Sequence, residues 1–357
     1  MKKKITHILY SGLGGHGSVV YSLIDGDKNK QLTHHLMFYG IESLTEDYRD
    51  KNIQGALRYD FIHKKKGIDV ISLLKVYKAL KKEKPDIILL HSMSLIIVSW
   101  AYSLLNNSNL ICVEHTPNEV KTGFEWLWTR LSVLLSSKIV YLSEIYKEEI
   151  KQKLGSLFEK KKYVVNNGIN IEQYTCPKRE MYKEKINLIM TGRFSEQKDQ
   201  KTIIRALKIL EKEKIQLYLA GTGDNFVEAK KMVKEMRLQD KVHFLGYLNE
   251  KEIIKYLGKS DIYIQSSFGE TMSTSIIQGM ASGLPILATD IKGIKHMVNN
   301  DTGLFFQPKD AKHLSELIMK LYTDNNLRIK LGENGRSYAI ERFSNVKMFN
   351  NYYSIIR

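Results

Sequence analysis

The stretch NLIMTGRFSEQKD, residues 187–199, predicts a β-strand, a glycine-containing loop and the start of a helix. Its apolar run Asn187–Met190 has the length of a buried strand, and the residues Lys201–Lys212 that follow have helical spacing. A strand that leads directly into a helix is the repeating unit of a parallel α/β sheet. The stretch therefore predicts an α/β fold, and the same order of elements recurs on both sides of it.

Downstream of this stretch, short apolar runs alternate with helical patterns. The predicted strands are Gln216–Ala220, Val242–Leu245, Asp261–Gln265 and Pro285–Ala288, followed by a turn and a short strand within 299–306. The predicted helices are Phe226–Met236, Glu250–Leu257 and Thr274–Met280. This rhythm is typical of a doubly wound parallel sheet.

Upstream, the same rhythm predicts a second parallel sheet. Its predicted strands are Ile5–Tyr10, Leu36–Tyr39, Asp86–Leu90, Leu110–Val113, Lys138–Leu142 and Tyr163–Val165, and its helices include Ile68–Lys82 and Glu144–Lys153. The rhythm breaks after residue 168, where Pro177 and many charges accompany only scattered apolar residues. We predict two Rossmann-like domains, residues 1–170 and 186–342, which are joined by a linker of residues 171–185 and face each other across a cleft. A protein of this kind binds its ligand at the carboxyl ends of the strands.

Composition limits the class of protein. A chain of 357 residues, 43% of them hydrophobic, is long enough for two domains that each bury a core. The formal charge of +16 favours either a lysine-rich solvated surface or contact with an anionic membrane or another polyanion. We expect no nucleic acid as a partner, because we find neither zinc-ligand spacing nor an aromatic RNA-binding signature.

Two features indicate a cytoplasmic protein, either soluble or peripheral on the inner face of the cell membrane. Cys112 and Cys176 form no spaced framework, so we expect reduced thiols. The longest nearly apolar stretch, Met93–Leu105, is shorter than the roughly 20 residues that a membrane-spanning helix needs.

A glycine-rich turn follows the first predicted strand. Residues 11–18 read SGLGGHGS, where glycines allow the backbone to approach a ligand and the next helix N-terminus attracts a phosphate. The run also fits the G-x-G-x-x-G pattern of a dinucleotide site. That site needs an acidic residue at the end of the second strand, where Glu42 is only a loose match, so we do not favour it.

Two cations follow the first strand of the second half. Arg193 and Lys198 flank a loop that enters a helix. This placement suits a diphosphate, because arginine binds two oxygens and lysine supplies a point charge beside helical N–H groups. An exposed basic loop is the alternative interpretation.

Further polar and glycine residues follow the next strands at the same predicted edge. Gly221 and Gly223 form a second glycine-rich turn. Glu270 precedes the helix that contains Gln278. An acidic residue ahead of a helix could also be a simple capping group.

From Gly192 to Pro308 the chain resembles glycosyltransferase family 4, a large family that includes sucrose synthase and has the two-domain GT-B fold. Five blocks match in order and spacing: Gly192-Arg193 with Lys198, 220–223, 242–246, 270–285 and 302–304. The first domain matches more weakly, at Gly14-Gly15, His115, Ser143-Glu144 and 167–170. Residues 343–357 are similar to the family's closing helix, which crosses back onto the first domain.

The resemblance implies roles for individual residues. Arg193 and Lys198 would hold the donor diphosphate, Glu270 and His115 would lie near the transferred sugar, and position 278 would contact the ribose. The implied catalytic residues are Glu270, His115, Arg193 and Lys198. The implied donor-binding residues are Gly14, Gly15, Arg193, Lys198, Gly221, Gly223, Phe244, Gly246, Thr271, Met272, Ser273, Thr274 and Gln278. Asn167 and His16 would lie on the acceptor side.

The sequence departs from the family pattern at three places. The family's second glutamate is Gln278, which can still bond a ribose diol but has no negative charge. The usual glycine-phenylalanine-glycine is Thr271-Met272-Ser273, so side chains enter where backbone N–H groups normally face the donor. An acidic residue after the next strand is replaced at or near His296. These departures raise the alternative of a catalytically silent GT-B partner subunit.

We expect no metal ion and no cofactor, as the family resemblance also implies. Asp25-Gly26-Asp27 matches the metal-binding Asp-x-Asp of another transferase class, but it follows the first helix, away from the strand ends, and reads as a polar turn. The stretch from Phe124 to Leu135, with Trp126 and Trp128, is either a core helix or an interfacial one.

The sequence therefore predicts a retaining, metal-independent glycosyltransferase. It would move a hexose or N-acetylhexosamine from a nucleotide-sugar, with UDP-sugar favoured, to a capsule, lipopolysaccharide or other lipid-linked glycan acceptor, with an anionic membrane surface as a partner. A GT-B nucleotide-sugar epimerase is a second alternative, which would need ionisable acid–base pairs around the sugar.

Overall fold

The structure is a computed structural model that describes residues 2–12, 15–67, 69–155, 162–174 and 184–357. The chain forms two compact units, one of residues 1–168 with 345–357 and the other of residues 169–344. Of the predicted linker 171–185, residues 175–183 lie outside the described residues.

The first unit is a seven-stranded parallel sheet with the strand order β3-β2-β1-β4-β5-β6-β7. Its strands are β1 (Lys3–Tyr10), β2 (Leu32–Gly40), β3 (Arg58–His63), β4 (Ile87–Leu90), β5 (Asn109–Glu114), β6 (Lys138–Tyr141) and β7 (Lys162–Val164). Its helices up to residue 154 are α1 (Gly15–Gly26), α2 (Glu46–Gln54), α3 (Val70–Glu83), α4 (Ile96–Asn106), α5 (Gly123–Leu135) and α6 (Glu144–Leu154). Fully buried apolar strands such as β4 form the centre of the sheet.

Strand β3 is absent from the sequence prediction. It pairs only with β2, at the edge of the sheet, and four of its six residues are exposed. An edge strand needs no apolar run, so its mixed sequence RYDFIH gives no strand signal of the buried kind.

The second unit is a six-stranded parallel sheet with the order β10-β9-β8-β11-β12-β13. Its strands are β8 (Ile186–Thr191), β9 (Ile215–Ala220), β10 (Val242–Gly246), β11 (Ile262–Gln265), β12 (Ile286–Thr289) and β13 (Gly303–Phe306). Its helices are α7 (Gln200–Ile209), α8 (Phe226–Glu235), α9 (Glu250–Lys259), α10 (Thr274–Ala281), α11 (Lys292–Lys295), α12 (Ala311–Thr323) and α13 (Asn325–Arg342). All the strands predicted for this half are present.

The last helix, α14 (Asn345–Ile356), belongs to the first unit and packs on α1. A side chain at Gly26, the last residue of α1, would overlap the carbonyl oxygen of Asn345. The Lys3 ammonium donates to the carbonyl oxygen of Ile356 at 3.1 Å, at the C-terminal end of α14. The close approach at Gly26 and this contact fix the closing helix on the first sheet.

Each sheet reverses its strand order at one point. In the first unit the reversal lies between β1 and β4, and in the second it lies between β8 and β11. Loops that leave such a pair of strands diverge to opposite faces of the sheet, and the crevice between them is where α/β sheets bind ligands. A ligand of either unit is therefore expected to contact the residues that follow β1, β4, β8 and β11.

Helix α5 resolves the two interpretations of the Trp126–Trp128 stretch. Both tryptophans are partly buried against the core of the first unit, whereas Phe124, Leu127 and Leu134 are exposed. The indole of Trp126 lies between the ammonium groups of Lys121 and Lys153, at 4.8 and 3.8 Å from the ring centre. The tryptophans are thus core residues, and the outward apolar face of α5 is formed by other side chains. Among the described residues, no helix combines the length and the apolar character needed to cross a bilayer.

Candidate active site

In the second unit, hydrogen bonds join the loops that follow β8 and β11. The Ser266 hydroxyl lies 2.9 Å from the carbonyl oxygen of Lys198 and 2.8 Å from that of Asp199. The Phe268 N–H donates to the carbonyl oxygen of Gln197 at 2.8 Å. The two loops at the reversal point therefore form one bonded surface, as the strand order requires.

Lys198 and Glu270 form an ion pair on this surface. The Lys198 ammonium donates to Glu270 Oε1, which also accepts from the Gln265 amide at 2.8 Å and from the Ser267 hydroxyl at 2.7 Å. The Lys198 side chain is 21% exposed and that of Glu270 is 9% exposed. Glu270 is thus a nearly buried carboxylate fixed by three donors, with a partly exposed cation beside it.

Glu270 is not the cap of α10. The hydroxyl of Ser273 accepts from the N–H of Ile276 and occupies the N-cap position. The alternative that Glu270 merely caps the helix is therefore wrong, because its carboxylate faces Lys198 instead of the helix N-terminus.

Arg193 is exposed at the start of the loop after β8. The Gln200 amide donates to the Arg193 carbonyl oxygen at 3.0 Å, so the backbone of this residue is held by α7 while its guanidinium is presented to solvent. Arg193 and Lys198 therefore both lie at the carboxyl end of β8, which is the predicted placement. Their role as phosphate-binding cations stays a prediction.

Gly221 and Gly223 allow the turn after β9 to approach the Arg193 loop. Their φ angles are +132° and +147°, a region that favours glycine. A Cβ at Gly221 would overlap the Gly192 carbonyl oxygen, and one at Gly223 would overlap that of Phe194. These glycines thus shape the loop that presents Arg193, and their role in donor binding stays a prediction.

The ring of Phe244, in the middle of β10, packs into an aromatic cluster. Its ring centre lies 6.0 Å from that of Phe194 and 5.6 Å from that of Phe226. Gly246, two residues later, has a φ of +67° and open space where a side chain would project. Backbone at Gly246, more than the Phe244 ring, is therefore accessible to a flat ligand at this edge.

Thr271, Met272 and Ser273 are buried, at 6%, 6% and 5% exposure. The N–H of Ser273 points to the sulfur of Met297 at 3.2 Å. The side chains that replace the family's glycines therefore fill the space ahead of α10. In addition, the Ser273 N–H already contacts Met297, so it does not point freely toward a donor. Thr274, the first residue of α10, is only partly buried.

Gln278 lies on α10, next to the hydroxyl of Tyr174. Burial raises the pKa of Tyr174, and among the described residues its hydroxyl has no hydrogen-bond partner of ordinary geometry. The neighbourhood of Gln278 therefore offers a buried neutral hydroxyl, which can bond another hydroxyl group as donor or acceptor.

In the first unit, two histidines meet at the strand ends. His115 follows β5 and His91 follows β4, and their Nε2 and Nδ1 atoms are 2.9 Å apart. Sequence reasoning found His115 but missed His91. The signal was available, because His91 directly follows a buried strand beside the reversal point.

A buried network supports the loop that begins at His115. Glu114, the last residue of β5, accepts from the N–H of Thr116 at 3.0 Å, from the hydroxyl of Thr129 at 2.8 Å and from the ammonium of Lys121 at 3.0 Å. Burial lowers the pKa of Lys121, an effect that the Glu114 carboxylate opposes. The buried pair ties both ends of the loop to β5.

Three further residues were predicted for the first unit besides Gly14: Gly15, His16 and Asn167. Gly14 lies outside the described residues, and of Gly15 and His16 only the backbone, at the start of α1, is described. Asn167 is buried in the segment after β7. The next residue, Gly168, accepts from the Ser22 hydroxyl of α1 at 2.8 Å.

The Asp25-Gly26-Asp27 segment was predicted to be a polar turn, but Asp25 and Gly26 end α1 and only Asp27 lies beyond the helix. Asp27 accepts from the N–H groups of Gln31 at 2.8 Å and Leu32 at 3.0 Å. A different group, His35 with Asp60 and Glu83, has its potential ligand atoms within 4.8 Å of one another. The guanidinium of Arg58 lies 2.7 Å from Glu83, so a cation already pairs with that carboxylate.

His296, at the position where the family has an acidic residue, lies after α11. Burial lowers its pKa to about 4, so the imidazole is neutral at physiological pH. It therefore does not reproduce the negative charge of the residue that it replaces.

Comparison with known proteins places both units in one group of enzymes. The family model described as Glycosyltransferase Family 4 matches residues 13–173, and the one described as Glycosyl transferases group 1 matches residues 176–338. An uncharacterised glycosyltransferase of Methanocaldococcus jannaschii is 32% identical over 50% of this chain and 46% of its own length. Against this relative the chain spans about half of the other protein. The Escherichia coli UDP-Gal:alpha-D-GlcNAc-diphosphoundecaprenol alpha-1,3-galactosyltransferase is 27% identical over 78% of this chain and 77% of its own length.

Solved structures show the same fold. The Anabaena protein HepE in complex with UDP and glucose is similar with a TM-score of 0.86 at 17% identity, over 99% of both chains. The fold is that of the GT-B glycosyltransferases. Each unit thus matches one glycosyltransferase family model, family 4 on the first and group 1 on the second, and the fold agrees with both.

Proposed function

We propose that this chain is a retaining glycosyltransferase that moves a hexose or an N-acetylhexosamine from a UDP-sugar to a lipid-linked or polysaccharide acceptor of the cell surface. The observation that carries the proposal is the Lys198–Glu270 pair at the strand reversal of the second unit, with Arg193 exposed on the same loop as Lys198. The complexes of HepE with UDP and with UDP-glucose support the choice of donor.

The two cations suit the departure of a nucleoside diphosphate. Glycosyl transfer passes through an oxocarbenium-like state while negative charge grows on the leaving phosphate. Fixed cations aimed at that charge are worth more in the transition state than in the ground state. Lys198 would turn from Glu270 toward the diphosphate, and the exposed Arg193 would bind two of its oxygens.

Glu270 suits a holding role better than a nucleophilic one. A double-displacement enzyme needs a carboxylate free to attack the anomeric carbon. Three side chains already donate to Oε1 of Glu270, which lowers its nucleophilicity. We infer that retention arises from attack on the same face as the departing diphosphate, whose oxygen accepts the acceptor's proton, without a metal ion or cofactor.

Turnover of a defined donor tests this function. The wild-type protein, incubated with a panel of UDP- and GDP-sugars and a membrane extract containing lipid-linked glycans, should release UDP from one donor. The product, analysed by proton NMR, should keep the anomeric configuration of the donor. UDP binding without release from any donor would favour a silent subunit, and a changed free nucleotide-sugar would favour an epimerase.

We further infer that the first unit contacts an anionic membrane. Helices α3, α4 and α5 follow parallel strands and so begin at the same sheet edge, where their first turns expose apolar side chains. The exposed residues in these turns are Val70, Ile71, Leu74, Ile97, Phe124 and Leu127. Lys65 and Lys66, directly before α3, are exposed beside them and would attract anionic lipids.

Liposome co-sedimentation tests the membrane surface. Binding should require anionic lipid and weaken as salt is added, because screening reduces the attraction. The pair Phe124→Ser and Leu127→Ser should bind less. A matched control is Leu104→Ser with Leu105→Ser, at the exposed far end of α4. Equal loss in both pairs, or binding to neutral liposomes alone, would exclude this surface.

A further inference from the structure

A line of histidine rings crosses the first sheet and ends at His115. His7 on β1 stacks on His34 of β2, with ring centres 5.3 Å apart and an interplanar angle of 24°. On its other side His7 stacks on His91, with ring centres 6.0 Å apart and an angle of 20°. His91 in turn is bonded to His115 at 2.9 Å. Beyond His34 lies the nearly buried carboxylate of Asp27. We use the name histidine row for the four residues that lead up to His115, which are Asp27, His34, His7 and His91.

Hydrogen bonds at the far end of the row define which nitrogens carry hydrogen. The Asp27 carboxylate, which can only accept, lies 3.4 Å from Nε2 of His34, so this nitrogen carries the hydrogen. Nδ1 of neutral His34 must then accept. It lies 3.0 Å from Nε2 of His7, which therefore donates. The same tautomer is thus imposed on two successive rings.

The environment of His7 agrees with this assignment. The residue is 0% exposed, and its Nδ1 makes no hydrogen bond to the part of the chain that the structure describes. In the imposed tautomer, Nδ1 of His7 carries no hydrogen. The structure therefore does not bury an N–H donor without a partner at this position. Burial and the neighbouring rings of His34, His91 and His35 lower the pKa of His7, and burial also lowers the pKa of His34 against the opposing effect of Asp27. Both rings are therefore neutral at physiological pH.

We propose that the histidine row positions His115, so that its imidazole is held in one orientation and one tautomer at the strand ends. Asp27 fixes the rings of His34 and His7. The neutral His7 ring fixes the plane of His91 by stacking, and the Nδ1 of His91 fixes His115 through a hydrogen bond. An imidazole whose hydrogen is held on one nitrogen can serve as a donor or an acceptor at a defined place, which a freely flipping ring cannot.

Imidazole nitrogen NMR on protein labelled at histidine with ¹⁵N tests the row without reference to activity. In the wild type, His7 and His34 should both carry hydrogen on Nε2, and His115 should show a single tautomer. His91→Phe keeps the stacked ring and removes Nδ1, so His115 should become a mixture of tautomers. His91→Asn restores a polar group at the same place and should restore one tautomer at least in part.

A matched control is His35→Gln, which removes a neighbouring buried histidine on the opposite face of β2, bonded to Thr6 and Asp60. It should leave the His115 signals unchanged even if it lowers stability. Unchanged His115 signals in His91→Phe, or hydrogen on Nδ1 of His7 or His34 in the wild type, would overturn the proposal.

A second experiment measures the kcat of the His91 variants, and it rests on the proposed function. With the donor that the wild type turns over, His91→Phe should lower kcat by about 10²-fold, as a displaced catalytic group does, and His91→Asn should recover part of it. If the wild type turns over no donor, the proposed function is wrong. The NMR result still shows whether the histidine row positions His115.

Discussion

The two units present opposite kinds of chemistry at equivalent places in their sheets. At its strand reversal the second unit presents charge, with Arg193 exposed and Lys198 paired with Glu270. The first unit presents imidazoles there, with His91 bonded to His115. The same topology therefore supports an ion pair with a second cation in one unit and a hydrogen-bonded pair of imidazoles in the other.

The supporting residues differ in the same way. Glu270 is held by Gln265 and Ser267, its neighbours in sequence. His91 is held by a row that starts at Asp27, on another strand connection altogether. Two of the three donors to Glu270 are therefore close to it in sequence and the third, Lys198, follows a neighbouring strand, whereas the row behind His91 draws on residues from β1, β2 and the segment before β2.

The largest expected effect comes from removing charge in the second unit. Lys198→Ala and Arg193→Ala should each lower turnover by about 10²–10³-fold, the usual loss when one charge-stabilising donor is removed. The measurement is UDP release, with circular dichroism to confirm folding. Lys201→Ala, which removes a surface lysine paired with Glu228, is the control and should keep its activity. Normal turnover in both site variants would remove the cations from the mechanism.

A smaller effect is expected when a negative charge is added at position 278 of the second unit. Hydrogen bonds to charged groups contribute about 1.5–3 kcal/mol and neutral ones about 0.5–1.5 kcal/mol, so Gln278→Glu should tighten UDP binding about five- to tenfold. Calorimetric titration of UDP measures the change. Gln239→Glu makes the same substitution at an exposed turn and should have no effect. Weaker binding by the site variant would show that position 278 does not contact the ribose.

Acidification should distinguish the units by stability. His7, His34 and His35 of the first unit have lowered pKa values, so below the unfolded-state pKa of about 6.5 the unfolded chain binds protons that the folded unit does not. The free energy of unfolding should therefore fall as the pH drops from 7 to 5. A histidine that stays unprotonated in the folded chain over this whole range contributes a fall of at most about 2 kcal/mol.

Hydrogen exchange resolved by peptide measures this effect in each unit separately. Peptides of β1 and β2 should lose protection at pH 5 more than peptides of β8 and β9. His7→Phe should reduce the fall, because it removes one proton-binding group from the unfolded chain. Equal loss of protection in both units would contradict the contrast.

The smallest expected effect is that of metal removal. In the proposed mechanism, side chains of the second unit supply the positive charge that stabilises the leaving diphosphate. EDTA should therefore leave turnover unchanged, and added Mn²⁺ should not raise it. Loss of activity in EDTA that Mn²⁺ restores would mean that a metal ion shares the work of Arg193 and Lys198.

Local patterns predicted much of this protein. The strand–loop–helix order at 187–199 predicted β8, the loop and α7, and the glycines and cations of that loop lie where strand ends must place them. Buried strands are visible in sequence because both faces must be apolar. Strand β3, exposed at an edge, and the half-buried placement of Trp126 were not visible, because pairing partners and not composition decide them.

The sequence by itself determined the two parallel sheets, the family resemblance and the residues Arg193, Lys198 and Glu270, since each follows its own strand within a few positions. Only the tertiary structure decided which donors hold Glu270 and which rings meet His115. His7 and His34 lie on β1 and β2, His91 and His115 follow β4 and β5, and no periodic pattern links the four. Their contact arises from the strand order β2-β1-β4-β5, which brings side chains from distant parts of the chain onto one face of a sheet whose neighbouring strands lie only about 4.8 Å apart.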